Sequence, residues 1–134
     1  MKFMTMVKSA EGQGTPPPSL FGAIAQLGEE GVAAGVFVRT GGLLPTANGA
    51  RVELRGGQIS VSDGPFSEAK EVIGGYAFYE VETKEEAIEW SVRFLELHKE
   101  HWPGWEGEVE VREVEVDFDP AAWPAENVQA NATA

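Results

Sequence analysis

Val61-Ser62-Asp63-Gly64-Pro65-Phe66, carried on by Glu68, Lys70-Glu71 and Gly74-Gly75-Tyr76, is the stretch on which the reading of the fold turns. A β-like run from Gln58 to Val61 stops at Asp-Gly-Pro, a strong turn signal, and a fresh apolar run opens at Tyr76. Between the two runs stand an Asp, a Lys and two Glu, more ionisable groups than a simple connector needs. Loops held by a rigid scaffold are where binding chemistry gathers. The plain alternative is a polar, well-capped turn.

Upstream of this stretch, Ala50 to Leu54 alternates, with Val52 and Leu54 one way and Arg51 and Glu53 the other. Arg55-Gly56-Gly57 turns it into Gln58 to Val61, which predicts a hairpin with one apolar and one polar face. Before the hairpin, Lys2 to Val7 and Val36 to Arg39 read as strands. Between them a helix follows Pro16 to Pro18, with Ser19 a candidate N-cap and Gly35 its stop. Gly22, Gly28 and Gly31 weaken that helix and make sense where it packs closely on a sheet. Downstream, Gly75 to Val81 is a strong strand. Thr83-Lys84-Glu85-Glu86 is a capping box that opens a second helix, with Ala87, Ile88, Val92, Leu95 and Phe94 expected inward and Glu89–Arg93 paired outward. That helix is expected to fade near His98-Lys99-Glu100-His101 and stop at Pro103-Gly104. Glu108 to Phe118 alternates as a last strand, with a bulge expected near Arg112-Glu113.

The order is β-α-β, hairpin, β-α-β. That predicts an α+β, ferredoxin-like βαββαβ layer with an inserted β-hairpin over residues 1–118, followed by a loosely ordered tail over 119–134 that contains Trp123. Two helices cover one face of such a sheet. The other face calls for a partner, and a homodimer formed face to face supplies it.

With 134 residues the chain is one domain, and without cysteine it has no disulfide, thiolate metal site or cysteine nucleophile. No apolar run approaches membrane-spanning length, so a cytoplasmic location is the expectation. The net charge of −12 is uneven: residues 1–79 hold 7 acids against 6 bases, and residues 80–119 hold 14 against 4. Such a surface repels phosphate backbones and argues against direct nucleic-acid binding. Arg39, Arg51, Arg55 and Lys70 would be the partners of an anionic small ligand. Gly41-Gly42 and Gly56-Gly57 read as turn glycines, no phosphate loop, dinucleotide fingerprint or serine elbow is present, and no cofactor is expected.

Lys2-Phe3-Met4, Gly42-Leu43 before Pro45-Thr46, Asp63-Gly64-Pro65-Phe66-x-Glu68-x-Lys70-Glu71, Gly74-Gly75-Tyr76, Glu85-Glu86-Ala87-Ile88-Glu89-Trp90 and Glu110-Val111-Arg112 fall in order. In these motifs the chain resembles the DGPF branch of the YCII-related proteins over roughly residues 1–118. The resemblance implies a dimeric α/β barrel of two ferredoxin-like protomers with clefts between sheet and loops. Some relatives in the wider superfamily are enzymes on small, often aromatic or lactone-type substrates. DGPF members are often encoded near extracytoplasmic-function sigma factors, which implies an accessory or regulatory role as the rival reading. The histidine–aspartate pair of enzymatic relatives has no counterpart, because no histidine precedes His98. Asp63, Lys70, Glu71 and Tyr76 carry over as motif residues.

Each candidate has two readings. Asp63 is a general base or ligand partner for proton transfer or elimination, or an Asx-turn cap. Lys70 and Glu71 orient a ligand, or pair with each other or with Arg51. Arg39 and Arg51 clamp a carboxylate, or are solvated. Tyr76 donates its hydroxyl into a cleft, or is a core aromatic. His98 and His101, three residues apart, have a spacing that two metal ligands could share, but a fraying helix end whose dipole favours histidine accounts for them, and no metal is expected. Trp90, Trp102, Trp105 and Trp123 form an aromatic platform, or Trp102-Pro103-Gly104-Trp105 covers the open end of the core or the dimer seam, which is the expectation.

Overall fold

The computed structural model describes residues 1–115. The chain runs β1 (Lys2–Ser9), α1 (Pro18–Ala33), β2 (Phe37–Gly42), a 3₁₀ turn (Thr46–Asn48), β3 (Ala50–Arg55), β4 (Gln58–Asp63), β5 (Val72–Glu80), α2 (Lys84–His101) and β6 (Gly107–Glu113). The main sheet is antiparallel with strand order β2-β5-β1-β6, and β3 and β4 form a separate two-stranded hairpin. This is an α+β layer of ferredoxin-like topology with a hairpin inserted between β2 and β5. The tail, Trp123, and the expected continuation of the last strand through Val116 to Phe118 lie outside the described residues.

Local chemistry accounts for the elements. Arg55 and Gln58 pair across a two-residue turn, and Gly56 and Gly57 both have positive φ, 56° and 77°, which only glycine adopts without strain. The Thr83 hydroxyl accepts from the Glu86 amide at 3.2 Å, capping α2. At α1 the N-cap is Pro17, with no side-chain cap, and Ser19 lies inside the first turn. Ser19 is instead held by His101, Nδ1 to Oγ 3.1 Å. Of the three helix glycines only Gly31 meets a neighbour, the Phe37 side chain; Gly22 and Gly28 face open space.

Two expectations about α2 are corrected. Its inward face is Ala87, Ser91 and His98 with Trp90 and Phe94 beside them, while Ile88 and Val92 are exposed. Arg93 does not pair with Glu89; it reaches across to Glu30 of α1 and lies over the Trp90 ring at 4.8 Å. No bulge interrupts β6 at Arg112-Glu113: Met4↔Arg112 and Phe3↔Glu113 pair in unbroken register. The irregularities fall in the ladders to β5, at Val7/Lys8 and Phe37/Arg39.

Among the described residues the space between sheet and helices is packed at one end only. There Phe3 pairs with Tyr79, and with Ala77, Val81 and Ala87 they form the core, to which Val36, Phe37, Trp90 and Val111 add half-buried surface. At the other end the facing positions are small. Val7 and Gly42 both pair with Gly75, and Ser9 closes the row. Gly41 and Gly42 therefore belong to β2, opposite Tyr76 and Gly75, and not to a turn. With so little side-chain volume supplied, the layer is hollow there.

Candidate functional site: an apolar cavity under the second helix

The hollow end is a cavity of about 680 Å³ between the sheet, α1 and the last two turns of α2. Its wall is aromatic and aliphatic, with Phe21, Phe37, Phe94, Trp102 and Trp105 prominent. Among the described residues neither Lys nor Arg lines it, and Glu11 at the mouth is the single acidic lining residue.

His98 is the chemically distinctive residue of this wall. Helical spacing places Ser91, Phe94 and His98 on one face, which the packing of Ala87 against the core turns inward. His98 is 7% exposed, with Nδ1 3.0 Å from the Phe94 carbonyl oxygen, so Nδ1 carries the hydrogen and donates it. Its ring lies 4.6 Å from that of Phe94 and 4.4 Å from that of Trp105. Burial pushes its pKa below the ordinary value, against a smaller opposing effect of the Phe94 hydrogen bond. The imidazole is therefore neutral at pH 7. This overturns the fraying-end reading, because α2 continues to His101 and the Trp102 amide still bonds the His98 carbonyl at 2.8 Å. His98 and His101 are engaged separately, and among the described residues no group of three His, Cys, Asp or Glu side chains could hold a metal ion.

A pH dependence follows from His98. The unfolded chain takes up a proton that the folded chain resists, so the stabilising contribution is complete above the ordinary pKa of 6.5 and is lost as pH falls through the folded value. The melting temperature of the parent is expected to fall between pH 7.5 and 5.5 by more than that of His98→Leu. Parallel melting curves across that range would show that His98 does not titrate as its burial requires.

Of the residues proposed from sequence, only Tyr76 borders the cavity, and its ring sits on the other side of the sheet, over Gly41 and edge-on to Phe78 at 6.2 Å. Arg39 is exposed on β2 opposite Phe78, and Lys70 and Glu71 are exposed just before β5. Arg51 is bound to Glu68, with its guanidinium 3.9 Å from the centre of the Phe66 ring. Asp63 ends β4, paired with Ala50 and exposed.

The Asp63–Phe66 loop braces the mouth of the cavity. Gly64 N–H donates to the Gly49 carbonyl at 2.9 Å, and Phe66 N–H to the Thr46 hydroxyl oxygen at 3.0 Å. Thr46 in turn donates its amide (2.8 Å) and its hydroxyl (2.5 Å) to the Glu11 carboxylate. The Thr46 hydroxyl and then its amide hold the Glu11 carboxyl below the usual carboxylate range. Three segments distant in sequence are thereby tied at one rim.

The Asp63 carboxylate has no hydrogen bond among the described residues. Asp63→Asn and Asp63→Ala are therefore both expected to leave stability within ~0.5 kcal/mol of the parent. Chemical denaturation checks this: a loss near 1 kcal/mol confined to Asp63→Ala would restore the turn-capping role. Loss of ligand binding in a stably folded Asp63→Asn would assign a role to its charge.

Fold and cavity together define an α+β domain of ferredoxin-like topology that is hollow between its sheet and the end of its second helix. Residues 1–115 match the model of the YCII-related domain, and the chain belongs to that family. A search of curated proteins found no match. Among the described residues no helix is long and apolar enough to cross a membrane.

Proposed function

We propose that this chain is a small-molecule-binding protein of the DGPF branch of the YCII-related family, that it works as a homodimer, and that its ligand occupies the apolar cavity. The motif residues Asp63-Gly64-Pro65-Phe66, Glu68, Lys70-Glu71 and Gly74-Gly75-Tyr76 support the branch. The observation that carries the binding reading is a cavity of about 680 Å³ with an aromatic wall and no cation in it. Pockets of this size and lining are where small molecules are held. The ligand is neutral and largely apolar, because an anion would lose its hydration there with no Lys or Arg to replace it. Two uncovered apolar surfaces support the homodimer. Met4, Met6, Tyr76 and Phe78 lie half-buried on the sheet face away from the helices, and Val52, Leu54, Ile59 and Val61 on the hairpin are each 68–73% exposed.

The test is a thermal-shift screen of neutral aromatic compounds against their carboxylate analogues, with sedimentation on the same samples. A ligand at one hundred times its dissociation constant adds about 2.7 kcal/mol, a shift of several degrees. Neutral compounds are expected to give such shifts on a dimeric protein. Shifts confined to the carboxylates would overturn the cavity assignment, and a folded monomer at micromolar concentration would overturn the dimer. The rival role, an accessory that contacts an extracytoplasmic-function sigma factor, calls for no shift from either set.

A further inference from the structure

Several side-chain hydrogens around the cavity are already given to backbone carbonyls. Thr5 Oγ donates to the Ala77 carbonyl at 3.3 Å, Thr40 Oγ to the Tyr76 carbonyl at 2.9 Å and Ser91 Oγ to the Ala87 carbonyl at 2.9 Å. Both hydrogens of the Gln13 amide are used as well, on the Ala10 and Glu106 carbonyls. His98 has given its one hydrogen to Phe94. Gln13 also accepts the Glu106 N–H at 2.9 Å, so its amide is engaged at both ends, while Thr5, Thr40, Ser91 and His98 keep acceptor capacity and have no hydrogen left to give. The donors left on the described lining side chains are the Ser9, Tyr76 and Tyr79 hydroxyls and the indole N–H groups of Trp102 and Trp105, with the Tyr76 hydroxyl lying over Gly41 on the far side of the sheet. None of these five is basic.

The strongest acceptor of the set is His98 Nε2. It has no hydrogen-bond partner among the described residues, and the Nδ1 bond to Phe94 fixes the tautomer that leaves its lone pair free. The flanking rings of Phe94 and Trp105 limit rotation of the imidazole. An apolar ligand that filled the cavity would strip water from this nitrogen and give nothing back. A ligand with a hydroxyl or N–H would replace that water.

From this unpartnered nitrogen, fixed in tautomer and orientation, we propose that His98 is the specificity-determining residue of the cavity, its Nε2 accepting a hydrogen bond from a flat, neutral, weakly acidic hydroxyl or N–H compound. This rests on the cavity being the ligand site. The aromatic wall selects the flat body, and His98 selects the donor. In the sequence His98 stands beside Lys99, Glu100 and His101, whose polarity marks a solvated helix end and gives no sign of its burial.

Two probes separate the donor from the body that carries it. 1-Naphthol can donate one hydrogen bond, whereas 1-methoxynaphthalene has the same ring and can only accept. Calorimetric titration at pH 7.5 is expected to show 1-naphthol binding roughly tenfold or more tighter to the parent protein, the scale of one buried hydrogen bond left unmade. In His98→Leu the two probes are expected to bind within about twofold of each other, with 1-methoxynaphthalene held at least as well as by the parent. His98→Gln, which keeps an acceptor, is expected to recover part of the preference. If both probes bind the parent equally, or if His98→Leu keeps the preference for 1-naphthol, the role of His98 is overturned while the cavity stands. If neither probe binds the parent, the cavity assignment falls and this inference falls with it.

Discussion

Gly64→Ala is expected to lower the melting temperature by roughly 5–10 °C and to weaken ligand binding in the cavity, although Gly64 lines no part of it. A Cβ at this position would run into the Thr46 carbonyl oxygen, and the next nearest atoms are the Thr46 carbonyl carbon and the Ala47 amide nitrogen, all backbone. Nothing there can turn aside as a side chain would. Overpacking of this kind costs about 1–3 kcal/mol and at times more, which in a domain of this size is several degrees. The hairpin end has to move away from the 3₁₀ turn, and the bond from Phe66 N–H to the Thr46 hydroxyl goes with it. Thr46 is also what Glu11 holds at the cavity mouth, so the rim loosens. A variant with the parent's melting temperature would show that the loop accommodates a methyl group and does not brace the rim. This accounts for Asp-Gly-Pro-Phe-x-Glu as a structural unit: glycine for the close approach, phenylalanine under Arg51, and glutamate to pair with that arginine.

The second large effect is at the packed end. Phe3 is 2% exposed and sits on β1 opposite Tyr79, within the cluster that includes Val81 and Ala87. Phe3→Ala removes a whole ring from the densest part of the layer and leaves a void that the flanking strands cannot close. Such a substitution costs ~3–5 kcal/mol, a fall of roughly 10–20 °C. Phe3 does not line the cavity, but Tyr79 opposite it and Phe37 packed on the same cluster do, so ligand binding by the folded variant is expected to weaken along with stability. A loss below 1 kcal/mol in denaturant unfolding would mean that the core is centred elsewhere. Parent-like ligand affinity in the folded variant would mean that the cavity wall keeps its shape without the Phe3 ring.

The order of elements was legible in the sequence because each is written in local chemistry. Period-two alternation in β3 and β4, Gly56-Gly57 between them and the Thr83 cap need no distant residue to be understood. The inserted hairpin follows from these, and ferredoxin-like topology is what a β-α-β, hairpin, β-α-β chain forms. The apolar face of the hairpin was also legible, but that it faces solvent in a single chain was not, since alternation states which residues share a side and not what covers them.

The site was decided by tertiary structure. Around Asp63 it is tertiary structure that pairs Arg51 with Glu68 and ties the loop to the cavity rim, leaving Asp63, Lys70 and Glu71 exposed. His98 looked like a solvated helix end, and it became buried because Ser91 and Ala87, two and three turns earlier on the same face, are small enough to bring α2 down onto the sheet. The cavity itself is written in Ser9, Gly42 and Gly75, but those residues come from three strands. Only the antiparallel register that sets Val7 and Gly42 against Gly75 brings their missing side chains together into one space. A void is a property of facing positions, and no stretch of sequence read alone contains the positions it will face.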